Sequence, residues 1–165
     1  MRDMEPMTLA EIETAPFRVN RTARFEASPE ALFAQMVDPK NWLAWFPMMY
    51  RAEWITLKTS GVGAEREVAL RVFGKYRERM LAWEPGERFA FTMTGSTSPL
   101  VSRMAEDWRM SREGNGVRLD WTVGGYPTTL GKVGAPALRA VLGKLFTGGG
   151  AKLEKLLRER GTQVA

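Results

Sequence analysis

Residues 18–47 read RVNRTARFEASPEALFAQMVDPKNWLAWFP and combine a strand pattern with two helix starts. In the pair Ser28-Pro29, the serine suits an N-cap and the proline suits the first helical position. The pair Asp38-Pro39 then restarts the chain as a second short helix or turn, which ends at Pro47. This stretch therefore predicts one strand followed by two short helices.

The chain between Met48 and Pro127 is predicted to be a series of strands separated by turns, because Gly, Pro and Asn signals recur about every ten to fifteen residues. Between these turns apolar and polar residues alternate, which places every second side chain on one face. The predicted inner residues are Val68, Leu70 and Val72 in the third strand, Phe89, Phe91 and Met93 in the fifth, Met104, Trp108 and Met110 in the sixth, and Val117, Leu119, Trp121 and Val123 in the seventh. Consecutive hairpins of this kind predict an antiparallel meander with one apolar face.

A long C-terminal helix is predicted to cover that face. Apolar residues at helical spacing follow Ala135, and Pro136 suits the first helical position. Three glycines at 148–150 weaken the helix, yet the apolar phase continues through them, so we expect one continuous helix. The glycines are interpreted either as a kink without a function or as a gap that leaves room for a ligand.

Cysteine and histidine are both absent from the 165 residues. Their absence excludes disulfides, Ser-His-Asp and Cys-His catalysis, and it removes the commonest ligands of catalytic metals. Proton chemistry is left to Asp, Glu, Tyr, Lys or bound water. No phosphate-binding loop or dinucleotide fingerprint occurs either, so we expect no cofactor and no metal.

Length and composition predict a single domain over residues 17–165, preceded by a mobile N-terminal tail over residues 1–16. The tail has no signal-peptide pattern and no apolar run reaches membrane-spanning length, so a cytoplasmic protein is expected. The net charge of +5 is dispersed along the chain, which argues against a nucleic-acid partner. One local excess of positive charge consists of Arg71, Lys75, Arg77 and Arg79. We interpret it as a solvent-exposed edge in preference to a patch that docks onto a lipid surface. Peripheral contact with a membrane is kept as the alternative.

From about residue 18 to residue 160 the chain resembles the START-like polyketide cyclase/dehydrase superfamily, also called SRPBCC, which has the helix-grip fold. The matching features are Ala27-Ser28-Pro29-Glu30, residues 38–47, Gly61-Val62-Gly63 leading to Arg66, Arg77-Glu78-Arg79-Met80 leading to Trp83-Glu84-Pro85, and the long final helix. The resemblance implies an α+β fold in which a curved antiparallel sheet of about seven strands wraps around the C-terminal helix. Two short helices are expected between strands one and two. An apolar cavity is implied between the sheet and the long helix.

Three charged residues are candidates for a polar site in that cavity. Glu78 and Arg66 match positions that relatives use, whereas Glu106 is predicted to face inward because it shares parity with Met104 and Trp108. A buried carboxylate acquires a raised pKa and can act as an acid or base near neutral pH. The open alternatives for this trio are a structural ion-paired group and a strand register that leaves the residues in solvent.

The leading functional prediction is binding or carriage of a small hydrophobic molecule such as a lipid, isoprenoid or polyketide. The expected ligand-binding residues are Trp45, Phe46, Val68, Leu70, Met80, Phe91, Met104, Trp108, Leu119, Trp121, Leu138, Leu142, Leu145 and Gly149. Carriage requires a cavity of about 300 Å³ or more. The alternative is a cofactor-free cyclase or dehydratase with Glu78 or Glu106 as base and Arg66 as the enolate-stabilising group. A third hypothesis is an interaction module that binds a partner and has no ligand. Separately, the aromatic residues Trp42, Trp45 and Phe46 are interpreted either as a lid over the cavity or as a hydrophobic anchor for the short helices.

Overall fold

The computed structural model describes residues 1–162 and shows an eight-stranded antiparallel sheet with four helices in that range. The strands are β1 (Arg2–Asp3), β2 (Phe17–Phe25), β3 (Met49–Trp54), β4 (Glu65–Leu70), β5 (Gly74–Glu84), β6 (Arg88–Ser96), β7 (Val101–Glu113) and β8 (Gly116–Pro127). The helices are α1 (Leu9–Thr14), α2 (Pro29–Val37), α3 (Pro39–Trp45) and α4 (Thr129–Thr162). None of these helices is both long and apolar enough to cross a bilayer.

The sheet has the order β2-β8-β7-β6-β5-β4-β3. From β3 to β8 each strand pairs with the next along the chain, and the sheet continues with β2 beside β8. The predicted meander and the helix-grip architecture are therefore confirmed. The inner faces of β5 to β8 form one hydrophobic core with α2, α3 and α4. One parity assignment is wrong: β4 ends at Leu70, so Val72 lies in the following turn and is 89% exposed.

The two short helices begin where their caps predict. The Ser28 hydroxyl accepts a hydrogen bond from the amide of Ala31 at 3.1 Å, and the Asp38 carboxylate accepts one from the amide of Lys40 at 2.9 Å. A side-chain acceptor at this position satisfies an amide that the first turn of a helix leaves unpaired. Both helices therefore start immediately after these residues and pack against the sheet.

Helix α4 begins at Thr129, seven residues before the proline that was expected to open it. Thr128 acts as the cap, since its hydroxyl accepts from the amide of Gly131 at 3.2 Å. The amide of Thr128 itself donates to the carbonyl of Leu100 at 3.0 Å, which fixes the start of the helix against the β6–β7 turn. Pro136 lies inside the helix, where it cannot donate the usual backbone hydrogen bond.

The three glycines of α4 do not interrupt the helix, which confirms the prediction of one continuous helix. A Cβ at Gly149 would lie 3.2 Å from Cδ of Pro47 and 3.5 Å from Cε3 of Trp45. The missing side chain therefore allows α3 and its following turn to approach α4 closely. The interpretation that these glycines leave room for a ligand is wrong at Gly149, because Trp45 and Pro47 occupy that space.

The first 16 residues are packed onto the sheet, in contrast to the mobile tail expected from the sequence. Strand β1 pairs with the end of β6, and the amide of Met4 donates to the carbonyl of Thr94 at 3.0 Å. Met4, Met7 and Ile12 are buried. Three apolar residues at irregular spacing produce no strand or helix periodicity. The usable signal was the capping box Thr8-Leu9-Ala10-Glu11, which marks the start of α1 and was overlooked.

Candidate functional site

A narrow cavity of about 70 Å³ lies between the inner face of the sheet and the middle of α4. Its wall is mostly apolar, and the side chains come from β2, α3, β3 to β8, α4 and the turns between them. The wall residues are Phe17, Trp42, Phe46, Met49, Val68, Leu70, Phe73, Tyr76, Glu78, Phe91, Met93, Ser98, Leu100, Val101, Met104, Glu106, Trp121, Leu138, Leu142 and Leu145. Glu78 and Glu106 are thus the two carboxyl groups in an otherwise largely apolar wall.

Glu78 and Arg66 form a buried ion pair between neighbouring strands. They are directly opposite each other in the β4–β5 register, and Nε of Arg66 donates to Oε2 of Glu78 at 2.5 Å. Burial raises the pKa of the Glu78 carboxyl, and the nearby Arg66 guanidinium opposes that shift. The pair therefore keeps two charges in the core at the expense of their hydration.

The guanidinium of Arg66 is completely buried behind Glu78. Its Cζ lies 4.5 Å from the ring centroid of Trp42 and 4.9 Å from that of Phe91, so cation–π contacts replace part of its hydration. Among the residues that the structure describes, no hydrogen-bond acceptor reaches Nη1 or Nη2. Arg66 therefore stabilises Glu78 from outside the cavity and does not itself form part of the wall.

Glu106 is held by two indole groups. Its Oε2 accepts hydrogen bonds from Nε1 of Trp121 at 2.7 Å and from Nε1 of Trp108 at 3.1 Å. Burial raises the pKa of Glu106 to about 7, and the neighbouring Glu78 charge adds to the rise, while the indoles and Arg66 lower it. A carboxyl group with this pKa exists in both protonation states near neutral pH, which is the property required of an acid–base group.

Two hydroxyl groups complete the polar part of the wall. The Tyr76 hydroxyl donates to the carbonyl of Phe73 at 3.1 Å, and the Ser98 side chain lies close to it. Burial raises the pKa of Tyr76, which keeps the phenol protonated. The cavity thus presents two carboxylates and two neutral hydroxyls to anything that enters it.

The structure brings most of the predicted site residues together, although whether they contact a ligand stays a prediction. Those in the wall are Glu78, Glu106, Phe46, Val68, Leu70, Phe91, Met104, Trp121, Leu138, Leu142 and Leu145. Those outside it are Arg66, Trp45, Met80, Trp108, Leu119 and Gly149. Trp108 still acts on the site through its bond to Glu106, whereas Trp45 fills the space beside Gly149.

Several wall residues were missed because they lie on turns and helices where strand parity does not apply. Phe73 and Leu100 belong to the turns at one end of the cavity, and Phe17 lies at the start of β2. Trp42 and Trp45 are each only 2% exposed and pack around Trp108, which fits the hydrophobic anchor better than the lid. Met93 carried a usable signal, since its parity already placed it on the inner face.

A larger groove of about 1020 Å³ lies outside the core, between β2, the β7–β8 turn and the C-terminal half of α4. It is open to solvent, and its charged residues pair with one another at the surface: Arg24 with Glu113 at 2.7 Å, and Arg158 with Glu154 at 2.9 Å. Exposed pairs of this kind are ordinary surface features. The smaller cavity, with its desolvated carboxylates, is therefore the candidate site.

Comparisons with known proteins agree with this architecture. The chain is 32% identical over 123 residues to uncharacterized proteins of Mycobacterium tuberculosis and Mycobacterium bovis, and the match covers 74% of this chain and 74% of each relative. Among solved structures it is similar to an aromatase/cyclase from a Streptomyces species, with a TM-score of 0.71, 18% identity, and coverage of 87% of this chain and 94% of the other. A START superfamily protein from Mycobacterium smegmatis also has a TM-score of 0.71, with 13% identity and coverage of 86% and 97%.

A family model described as "Polyketide cyclase / dehydrase and lipid transport" matches residues 16–158. Together with the fold, this match indicates a ligand-binding or polyketide cyclase role. The matched region begins after α1 and includes β2 to β8 and most of α4. The chain therefore belongs to the polyketide cyclase/dehydrase and lipid transport family.

Proposed function

We propose that this protein binds a small hydrophobic molecule, of lipid, isoprenoid or polyketide type, in the cavity between the sheet and α4. The observation that carries the proposal is the wall itself, in which apolar side chains surround two desolvated carboxylates. Arg66 compensates the Glu78 carboxylate, as in a structural ion pair, whereas Glu106 receives hydrogen bonds only from indoles. A buried carboxylate without a cation costs stability, and this supports a role for Glu106 in binding a ligand. A concave apolar site with a few convergent polar groups is the usual form of a small-molecule site.

The volume of about 70 Å³ does not meet the requirement of about 300 Å³ that the sequence analysis set for carriage. A ligand must therefore displace part of the wall when it enters. The part of α4 between its first turn and Leu145 is the part expected to move, because it is largely exposed and contains Pro136 and two glycines, Gly134 and Gly143. Leu138 and Leu142 close the cavity from this part, so an outward shift of the helix would enlarge it.

Native mass spectrometry of the purified protein, before and after denaturation, tests the proposal directly. We expect hydrophobic molecules to remain bound in the native state and to be released on denaturation. Leu142→Trp should abolish this binding because the larger side chain fills the cavity, whereas Val141→Trp, on the more exposed side of the same turn, should not. Wild-type protein that retains no ligand after incubation with lipid or polyketide extracts would contradict the proposal.

Acid–base catalysis by Glu106 is a second candidate function. Its support is the combination of a position in the cavity wall with a pKa of about 7. Arg66 fits its expected role less well, since it lies behind Glu78 and does not reach the cavity. With a substrate in hand, Glu106→Gln should reduce turnover by about 10²- to 10⁴-fold. Unchanged turnover in both Glu106→Gln and Glu78→Gln would remove this mechanism.

A further inference from the structure

We infer that the polar end of the ligand is a hydrogen-bond donor, a hydroxyl or phenol, and that the cavity discriminates against carboxylate ligands of the same shape. The inference rests on the proposed function, because it concerns the ligand of the same cavity. Two observations on the described residues support it: one oxygen of each wall carboxylate accepts no hydrogen bond, and the wall contains no cation.

Glu106 offers one acceptor to the cavity. Both indole donors, from Trp108 and Trp121, are spent on Oε2. Among the described residues no donor reaches Oε1, although the side chain is in the wall and only 8% of the residue is exposed. When Glu106 is ionised, its Oε1 is an acceptor that a donor on the ligand can satisfy.

Glu78 offers a second acceptor in the same wall. Its Oε2 receives Nε of Arg66, and within residues 1–162 no hydrogen bond to its Oε1 is present. The residue is 4% exposed and therefore sealed from bulk water. Two carboxylates, supplied by β5 and β7, thus each leave one oxygen without a donor from the described residues in the wall of the same cavity.

No cation of the described chain faces this cavity, since its wall contains neither lysine nor arginine. Arg66 is the nearest one, and its unpaired Nη groups lie among the rings of Trp42, Phe89 and Phe91. A carboxylate ligand would therefore be desolvated beside Glu106, and no free cation of the described wall would compensate it, because Arg66 is already paired with Glu78. A hydroxyl ligand would instead replace its lost hydration with a charge-assisted bond to a carboxylate.

Three probes that share one ring system separate the effects: naphthalene, 2-naphthol and 2-naphthoate, measured by equilibrium dialysis at pH 8. At this pH 2-naphthoate is ionised, 2-naphthol is neutral, and Glu106 is mostly ionised because its pKa is about 7. We expect 2-naphthol to bind at least about tenfold more tightly than 2-naphthoate, which corresponds to a single buried charge conflict. We also expect it to bind no more weakly than naphthalene, because a hydroxyl that is buried without a partner would lose affinity.

Glu106→Gln sharpens the experiment, because the two indoles fix the orientation of the new amide. Both indoles are donors, so the amide oxygen must face Trp108 and Trp121, and the NH₂ group must face the cavity. The acceptor that the ligand meets becomes a donor. The preference for 2-naphthol over 2-naphthoate should fall at least about tenfold. Glu67→Gln is the matched control, since Glu67 lies outside the cavity wall, where it pairs with Arg51 at 3.3 Å, and its substitution should leave the preference unchanged.

The wild-type comparison stands even if a variant folds poorly. If naphthalene binds and 2-naphthoate binds as tightly as 2-naphthol, the inference is overturned and the proposed function survives. If none of the three probes binds, the proposed function fails for ligands of this size and the inference fails with it. A 2-naphthol preference that Glu67→Gln reduces as much as Glu106→Gln would also overturn the assignment to the cavity carboxylates.

Discussion

Two clusters of charged residues lie on opposite faces of the sheet, and each contains a buried carboxylate from neighbouring positions of β7, Glu106 and Asp107. The outer cluster consists of Arg88, Asp107 and Arg109: Asp107 receives Arg88 at 2.8 and 2.9 Å and Arg109 at 2.7 Å. In the inner cluster, Arg66, Glu78 and Glu106, the Glu106 carboxylate receives only indole donors. Both carboxylate oxygens of Asp107 accept hydrogen bonds, whereas in Glu78 and in Glu106 only Oε2 does so within residues 1–162.

On the basis of this difference we propose a structural role for the outer cluster and a ligand-binding role for the inner one. A buried charge that is fully paired holds the fold in place, as the outer cluster does between β6 and β7. A buried carboxylate with an acceptor left over is less stable than it could be, and such sites are typical of places that bind or react with a ligand. The inner cluster therefore retains binding capacity that the outer cluster lacks.

The largest effect should come from breaking the inner ion pair. Glu78→Leu leaves the completely buried Arg66 without the carboxylate to which it donates. Removal of one partner from a buried pair typically costs about 3–5 kcal/mol, and we expect a loss of this size in the free energy of unfolding measured with urea.

The double variant Arg66→Met/Glu78→Leu is the control for this prediction. Because it removes both charges together, its loss of stability should be smaller than that of Glu78→Leu alone. Additive losses would mean that the two residues stabilise the fold through packing alone, and that the pair is not the reason for the cost.

The second prediction concerns the pH dependence of Glu106. Burial raises the pKa of this carboxyl from its ordinary value of 4.5 to about 7, so the folded protein keeps a proton that the unfolded chain has released. Between these pH values the folded state binds more protons, and its stability therefore falls as pH rises. Relative to Glu106→Gln, wild type should lose about 3 kcal/mol of unfolding free energy between pH 4.5 and pH 8.

Urea unfolding of both proteins at the two pH values measures this difference. Glu78 and Tyr76, whose pKa values burial also raises, are present in both proteins, which reduces their effect on the comparison. A difference in stability that does not change with pH would show that Glu106 is not desolvated as the structure places it.

The position of Glu106 could be predicted from the sequence because β7 is regular around it. Met104, Glu106 and Trp108 pair in unbroken register with Gly125, Val123 and Trp121 of β8. In such a strand every second residue shares a face, so apolar neighbours at even positions place the glutamate among them. The strand meander and the two capped helices follow from equally local signals.

The remaining errors concern contacts between distant parts of the chain. The start of α4 depends on Thr128 and its bond to the carbonyl of Leu100, which no helical pattern contains. The space beside Gly149 is taken by Trp45 and Pro47, and this required knowledge of how α3 meets α4. The small cavity volume likewise results from the packing of many side chains, and the periodicity of apolar residues predicts only which of them face inward.

A smaller effect is expected from the outer cluster, where Asp107→Asn weakens charge-assisted bonds to two arginines at once. We expect a loss of about 1–3 kcal/mol in unfolding free energy, because the amide keeps the shape but not the charge. Binding of 2-naphthol should not change, since Asp107 lies outside the cavity wall. If Asp107→Asn weakens the binding of 2-naphthol by more than the loss of folded protein explains, the outer cluster also contributes to binding, and the proposed division between the two clusters is wrong.

The smallest effect should come from Arg109→Gln, because the side chain of Arg109 is 52% exposed and Asp107 keeps its two bonds to Arg88. Exposed ion pairs usually contribute less than about 1 kcal/mol, so the unfolding free energy should change by no more than that. The inner cluster has no second cation of this kind within the described chain, where Glu78 is hydrogen-bonded to one arginine and Glu106 is hydrogen-bonded to no cation. If Arg109→Gln destabilises the protein as much as Asp107→Asn, Arg88 alone does not hold Asp107, and the outer cluster is as sensitive to the loss of one cation as the inner one.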